Sequence, residues 1–175
     1  KPLPNAVWST YGMTETLSHI ALRRLNGPDA SLWYTPFDGV GISLNADGCL
    51  VIDAPEVCAE PLVTNDIAQL RTDDHTLFRI KGRKDNVVCS GGIKIQIEEV
   101  EEALRPHLSA PFMIVKRQDE MLGEKAILLT ESADLTHIEE ICRNTLPKYW
   151  VPREFLHIDH LPLTETGKPK RSGTF

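Results

Sequence analysis

A strand that breaks at glycine into hydroxyl and carboxylate side chains can cradle a phosphate, and Tyr11-Gly12-Met13-Thr14-Glu15-Thr16 has that order. Thr14 offers a hydroxyl and neighbouring backbone N–H groups to an anion, and Glu15 offers a carboxylate to a hard cation such as Mg2+. Thr64-Asn65-Asp66 reads as a turn beside a strand. An Asp there has the two acceptor oxygens that a ribose diol needs. Residues 78–94 carry five cations (Arg79, Lys81, Arg83, Lys84 and Lys94) and a Ser90-Gly91-Gly92 step where backbone can approach a ligand closely. The last such segment, residues 161–171, holds Lys168 on a polar turn, a charge suited to an anionic transition state. Each segment has an ordinary structural alternative. Thr14 or Thr16 can cap a helix, residues 64–66 can form an Asx-turn, residues 78–94 a solvated hairpin, and residues 161–171 a frayed basic tail.

The elements that must position these groups change in character along the chain. In the first half, residues 6–9 read as a short strand and residues 17–25 as one or two helical turns. Residues 40–44 and 49–52 flank Asn45-Ala46-Asp47-Gly48, a hairpin signal because the Asp-Gly pair supplies the positive φ of a tight turn. A second hairpin joins residues 67–71 to 76–80. After Gly82, Ile97, Val100 and Leu104 recur at helical spacing, and Glu98, Glu99, Glu101 and Glu102 crowd the favourable N-terminal end, which predicts a helix over 97–108. Residues 111–116 and 125–130 read as strands. Thr136 and Glu139 form a capping-box pair opening a helix with Ile138, Ile141, Cys142 and Thr145 on its buried stripe, stopped before Pro147. A last strand is expected over 153–158. The fold class is therefore α+β: a small antiparallel β subdomain over 1–82, reading as the tail of a larger N-terminal domain, followed by a compact α+β domain over 83–175.

Composition narrows the chemistry. With 175 residues, 41% hydrophobic and 25% charged, the chain can bury a core and falls outside the disordered and fibrous classes. Nineteen Lys and Arg against 25 Asp and Glu give a formal charge of −6, without the basic footprint of a nucleic-acid binder. No apolar run approaches the ~20 residues of a membrane span. Cys49, Cys58, Cys89 and Cys142 never pair as CxxC, so they read as free thiols in a reducing, cytoplasmic setting and not as a metal or redox site. The six histidines are scattered and no GxSxG elbow occurs, which leaves no evident protein nucleophile.

The order of the segments adds more than any one of them. YGMTET, then TND, then GRKDN…SGG…K…EEVEE, then LPLTETGKPKR resembles, over nearly the whole chain, the C-terminal portion of the adenylate-forming superfamily, which includes acyl-CoA synthetases, luciferases and peptide-synthetase adenylation domains. The resemblance implies an enzyme that joins a small carboxylic acid to ATP, then passes the acyl group to CoA. It assigns Tyr11 to the adenine, Thr14 to the α-phosphate, Glu15 to Mg2+, and Asp66 and Arg83 to the ribose. It makes Asp85 the hinge between a large and a small domain, puts Gly91 and Gly92 beside the pantetheine tunnel, and makes Lys168 the catalytic lysine. Asn65 stands where the family turn has Gly, and Pro169 where it usually has an aliphatic residue, which questions the shape of that loop. The run Thr10–Ala21 looks most like the o-succinylbenzoate–CoA ligases of menaquinone biosynthesis, with Ser18 and His19 near the acyl pocket. The alternatives are a fatty-acyl or aryl-CoA synthetase, or a non-catalytic binding module of the same fold. The resemblance also implies a missing upstream domain, without which this chain is expected to be inactive.

Overall fold

The computed structural model describes residues 5–165 and 167–171; Thr166, within the fourth polar segment, and residues 1–4 and 172–175 lie outside it. The chain divides into two units between Lys84 and Asp85.

The first unit holds two antiparallel sheets. Strands β1 (Trp8–Gly12), β2 (His19–Arg24) and β3 (Thr35–Pro36) form one, and the meander β4 (Gly41–Leu44), β5 (Cys49–Asp53), β6 (Leu62–Leu70) and β7 (Phe78–Arg83) forms the other. Both expected hairpins are present, and Gly48 adopts the positive φ of 79° that its turn demands. Tyr34 and Phe78 exchange backbone hydrogen bonds of 2.7 and 3.2 Å, and their rings stack within the core that also buries Ile20, Leu50 and Ile52.

Two expectations fail here. Residues 17–25 are not helical: β2 pairs with β1 from Trp8↔Arg24 to Tyr11↔Ala21. A stretch this short is marginal as a helix, whereas a ladder partner already lies beside it. Thr64-Asn65-Asp66 lies within strand β6 and not in a turn between strands: Asp66 pairs with Arg83 of β7, while opposite β5 the register breaks between Val51↔Val63 and Cys49↔Ile67 and the Asp66 N–H donates to Thr64 Oγ1 at 3.1 Å. Leu17 is the one non-glycine residue with positive φ among those described, so Asn65 needs no left-handed backbone.

In the second unit, β8 (Val87–Ser90), β9 (Ile93–Gln96), β10 (Phe112–Asp119), β11 (Gly123–Thr130) and β12 (Glu154–His157) build one sheet, with α1 (Ile97–Leu104) and α2 (Leu135–Thr145). Strand β11 is central: it runs antiparallel to β10 and β8 and parallel to β12, which follows it through α2. Alternation along β11 feeds two cores. Ala126 and Leu128 join Val100, Leu104, Ile138 and Cys142, while Ile127 and Leu129 join Met113 and Val115 on the other side.

Helix α1 stops at Leu104, short of the expected 108: Pro106 lacks the N–H that would continue the ladder, although Arg105 keeps helical backbone and the Leu108 N–H still reaches the Leu104 carbonyl at 3.1 Å. Helix α2 is capped by Asp134, whose side chain accepts the His137 N–H at 3.0 Å, so Thr136 lies inside the helix and not at its cap. Burial pushes the Cys142 thiol up to about 11, reinforced by the charge of Glu139, which makes it an inert packing residue. All four cysteines are free. Among the described residues no helix is long and apolar enough to cross a membrane.

Candidate functional site

Three strands of the first unit converge on one constellation. The Tyr11 hydroxyl on β1 donates to Asp66 Oδ2 on β6 at 2.7 Å. Arg83 at the end of β7 faces Asp66 in register, its Nη1 at 3.8 Å from Oδ1, longer than a hydrogen bond. The Asp66 side chain keeps 17% of its surface exposed and that of Arg83 51%. The Tyr11 ring meets Phe78 edge-on at 5.3 Å and tilts against Tyr34 at 5.8 Å, so the aromatic core fixes the phenol. Burial first, then the hydrogen bond to Asp66 and that carboxylate's charge, raise the Tyr11 hydroxyl well above the usual phenol range. The Tyr11 hydroxyl therefore remains a donor to Asp66.

Gly12 lets β1 end in this place. A Cβ there would lie 2.3 Å from the Ser18 carbonyl oxygen and 2.9 Å from His19 Cα, both backbone atoms. Gly12→Ala is expected to lower stability by about 1–3 kcal/mol, the usual cost of forced overpacking, and equilibrium denaturation of the protein checks it.

A single 3-10 turn, Thr14–Thr16, follows. Thr16 is buried; its hydroxyl accepts the Met13 N–H at 3.0 Å and lies 2.9 Å from the Met13 carbonyl, so the last Thr of the motif is structural. Thr14 and Glu15 are exposed instead, and neither side chain has a partner among the described residues. Leu17, next along, sits at φ 57° with 84% of its surface exposed. Left-handed backbone on such a residue costs about 1 kcal/mol, a strain of the kind concentrated at functional turns. The sequence held no signal for it beyond an apolar residue in a polar run. Ser18 lies in a bend and His19 opens β2, both exposed and neither helical.

Among the described residues no cluster of three His, Cys, Asp or Glu side chains could hold a metal. Glu15 nevertheless fits a phosphate-borne Mg2+, which takes one or two carboxylates and draws its other ligands from water and phosphate.

The other candidates belong to the second unit, or to its boundary in the case of Asp85. Asp85 occupies the short 3-10 turn Lys84–Asn86 between β7 and β8. Gly91 and Gly92 form the turn between β8 and β9 with φ of 56° and 83°, which is why neither position accepts another residue easily. Lys168 lies on a hairpin that its own backbone closes. The Thr164 N–H donates to the Lys168 carbonyl and the Lys170 N–H to the Pro162 carbonyl, both at 2.8 Å. The Lys168 N–H donates to Thr164 Oγ1 at 3.1 Å. In this pattern Leu163 and Pro169 face each other as the pair without hydrogen bonds. The N–H that proline lacks is therefore not missed in this pairing.

No family model matches the chain. It is 31% identical over 167 residues to the 2-methylpropanoate–CoA ligase CCL4 of Humulus lupulus, covering 89% of this chain and 27% of that protein. It is 28% identical over 192 residues to a 2-succinylbenzoate–CoA ligase of Bacillus mycoides, covering 93% of this chain and 40% of the relative. Among solved structures, the o-succinylbenzoate CoA synthetase of Bacillus subtilis with its acyl-adenylate intermediate superposes with a TM-score of 0.78 at 22% identity, over 95% of this chain and 40% of that one. At that identity the likeness speaks for the fold alone. The chain spans well under half the length of these relatives.

Proposed function

We propose that this chain, a relative of the C-terminal region of the adenylate-forming acyl-CoA ligases, is the terminal portion of an acid–CoA ligase, residues 1–82 completing a large nucleotide-binding domain and residues 83–175 forming a small mobile one. The observation that carries the reading is the Tyr11–Asp66–Arg83 constellation, followed along the chain by the exposed side chains of Thr14 and Glu15.

A carboxylate oxygen of the substrate attacks the α-phosphorus of ATP; the bond to the β-phosphate breaks and pyrophosphate leaves. The CoA sulfur then attacks the acyl carbonyl, gives up its proton, and expels AMP. Asp66, held by Tyr11 at one oxygen, accepts from the ribose hydroxyls with its other, and Arg83 donates beside it. The Tyr11 ring flanks the adenine. Thr14 donates to the α-phosphate, and Glu15 holds Mg2+, which when bound neutralises phosphate charge. Lys168 meets the charge that develops between carboxylate and α-phosphate. Asp85 is the hinge that exchanges the two half-reactions, and Gly91 and Gly92 border the path of the CoA arm. Ser18 and His19, exposed beside the strained Leu17, face the acyl group.

Within this class o-succinylbenzoate is the first substrate to test, ahead of fatty acids and benzoates. The full-length protein is expected to exchange pyrophosphate into ATP with one member of such a panel, and to form the corresponding CoA thioester. The 175-residue chain alone is expected to give no exchange. Exchange by the isolated chain would overturn its reading as part of a site, and no exchange by the full-length protein with any acid would overturn the ligase reading.

A further inference from the structure

The fourth polar segment ends in a contact that the proposed chemistry does not use. Arg171 Nη2 donates to Glu101 Oε2 at 2.8 Å, across 70 positions of sequence. The two side chains are only 17% and 11% exposed. Glu101 is itself immobilised: it lies on α1, and its Oε1 accepts the backbone N–H of Ile114, a fully buried residue of β10, at 2.8 Å. Burial raises its carboxyl above the ordinary value, opposed by the Ile114 hydrogen bond and the Arg171 charge. Surface ion pairs hold little, but one withdrawn from water and tied to a strand backbone fixes geometry. Arg171 sits three residues beyond Lys168, immediately after the hairpin's closing Lys170–Pro162 bond. At about 3.3 Å per extended residue, the anchor lies within roughly 10 Å of the lysine along the chain.

We infer that the Glu101–Arg171 pair is a positioning device, pinning the C-terminal arm of the Lys168 hairpin to the α1–β10 core so that the ammonium is delivered in one place. The inference rests on the reading of Lys168 as the residue serving adenylate formation. The side chain of Lys168 is exposed and long, and its own backbone bonds tie it only to the other arm of the same hairpin. Leu161, whose N–H donates to Glu131 Oε1 at 2.9 Å, ties the first arm to the body of the domain, and Arg171 ties the arm that carries Lys168. A reacting group displaced by 1 Å can cost about 10²-fold in rate, so partial loosening should cost about tenfold.

The test uses the full-length protein with the acid of the panel that best supports exchange, and measures the two half-reactions separately. Arg171→Met is expected to lower kcat for ATP–pyrophosphate exchange about tenfold, with little change in KM for ATP and little change in thioester formation from supplied acyl-adenylate and CoA. Arg171→Lys should restore most of the loss. Glu101→Gln, which keeps an acceptor for Ile114 but removes the charge, should reproduce the same selectivity in milder form. In a Lys168→Ala background, Arg171→Met should add nothing further, because both act through one ammonium. Equal losses in both half-reactions, or a full additional loss in the Lys168→Ala background, would reduce the pair to general stability and overturn the inference. If Lys168→Ala itself spares exchange, the reading of Lys168 fails first, and the two failures are distinguished.

Discussion

Replacing Lys168 by alanine in the full-length protein is expected to reduce ATP–pyrophosphate exchange by roughly 10³-fold or more, and to leave thioester formation from supplied acyl-adenylate largely intact. The size follows from the charges. A carboxylate approaching a triphosphate brings like charges together, at about 4 kcal/mol per pair at 4 Å in a partly shielded site. Removing a single neutral donor to a developing oxyanion already costs about 10²–10³-fold, and a lysine carries a full charge. The selectivity follows from timing: the acyl-adenylate has already lost pyrophosphate, so the second half-reaction no longer asks for that charge. The hairpin should survive the change, since Lys168 takes part in it through its N–H and carbonyl, not through its side chain. Equal loss in both half-reactions would reject the role.

What the sequence could show depended on how local the cause was. The turn at Asn45–Gly48 is specified by its own residues, and the stripes of α1 and α2 by spacing within one helix, so they were legible. Strand β2 was not: six residues with two arginines at one end carry no decisive period, and the choice was made by β1 lying alongside. Likewise Thr64-Asn65-Asp66 is composed of turn-forming residues but is carried within β6, paired to β7 at Asp66↔Arg83 and irregular opposite β5. The candidate site divides in the same way. Resemblance brought Tyr11, Asp66 and Arg83 to one nucleotide, yet the hydrogen bond between Tyr11 and Asp66 spans 55 positions and only the fold reveals it. The Glu101–Arg171 pair is hidden for the same reason, since nothing in EEVEE distinguishes the buried glutamate from its solvated neighbours except the period of α1, which puts Glu101 beside Ile97, Val100 and Leu104. The place of Pro169 is a matter of register in the same way: a proline is costly where the ladder needs an N–H, and opposite Leu163 it does not.

Asp85→Pro in the full-length protein is expected to slow the thioester half-reaction by roughly tenfold to a hundredfold while adenylate formation stays near that of the unaltered enzyme. Strand β7 ends at Arg83 and β8 begins at Val87, leaving the 3-10 turn Lys84–Asn86 as the whole connection between the sheets of the two units. If the units change orientation between half-reactions, φ and ψ in those residues must absorb the change, as hinges at element ends do. A proline at 85 fixes its own φ near −65° and disfavours helical backbone at Lys84, so fewer orientations remain open. Asp85→Gly, which widens the choice, should leave the thioester step close to its normal rate and so separates loss of rotation from loss of the carboxylate. An unaffected thioester step in Asp85→Pro would remove residue 85 as the hinge. Loss of both half-reactions together, with a lowered melting temperature, would instead mark the turn as a structural brace, and the exchange between half-reactions would then need another origin.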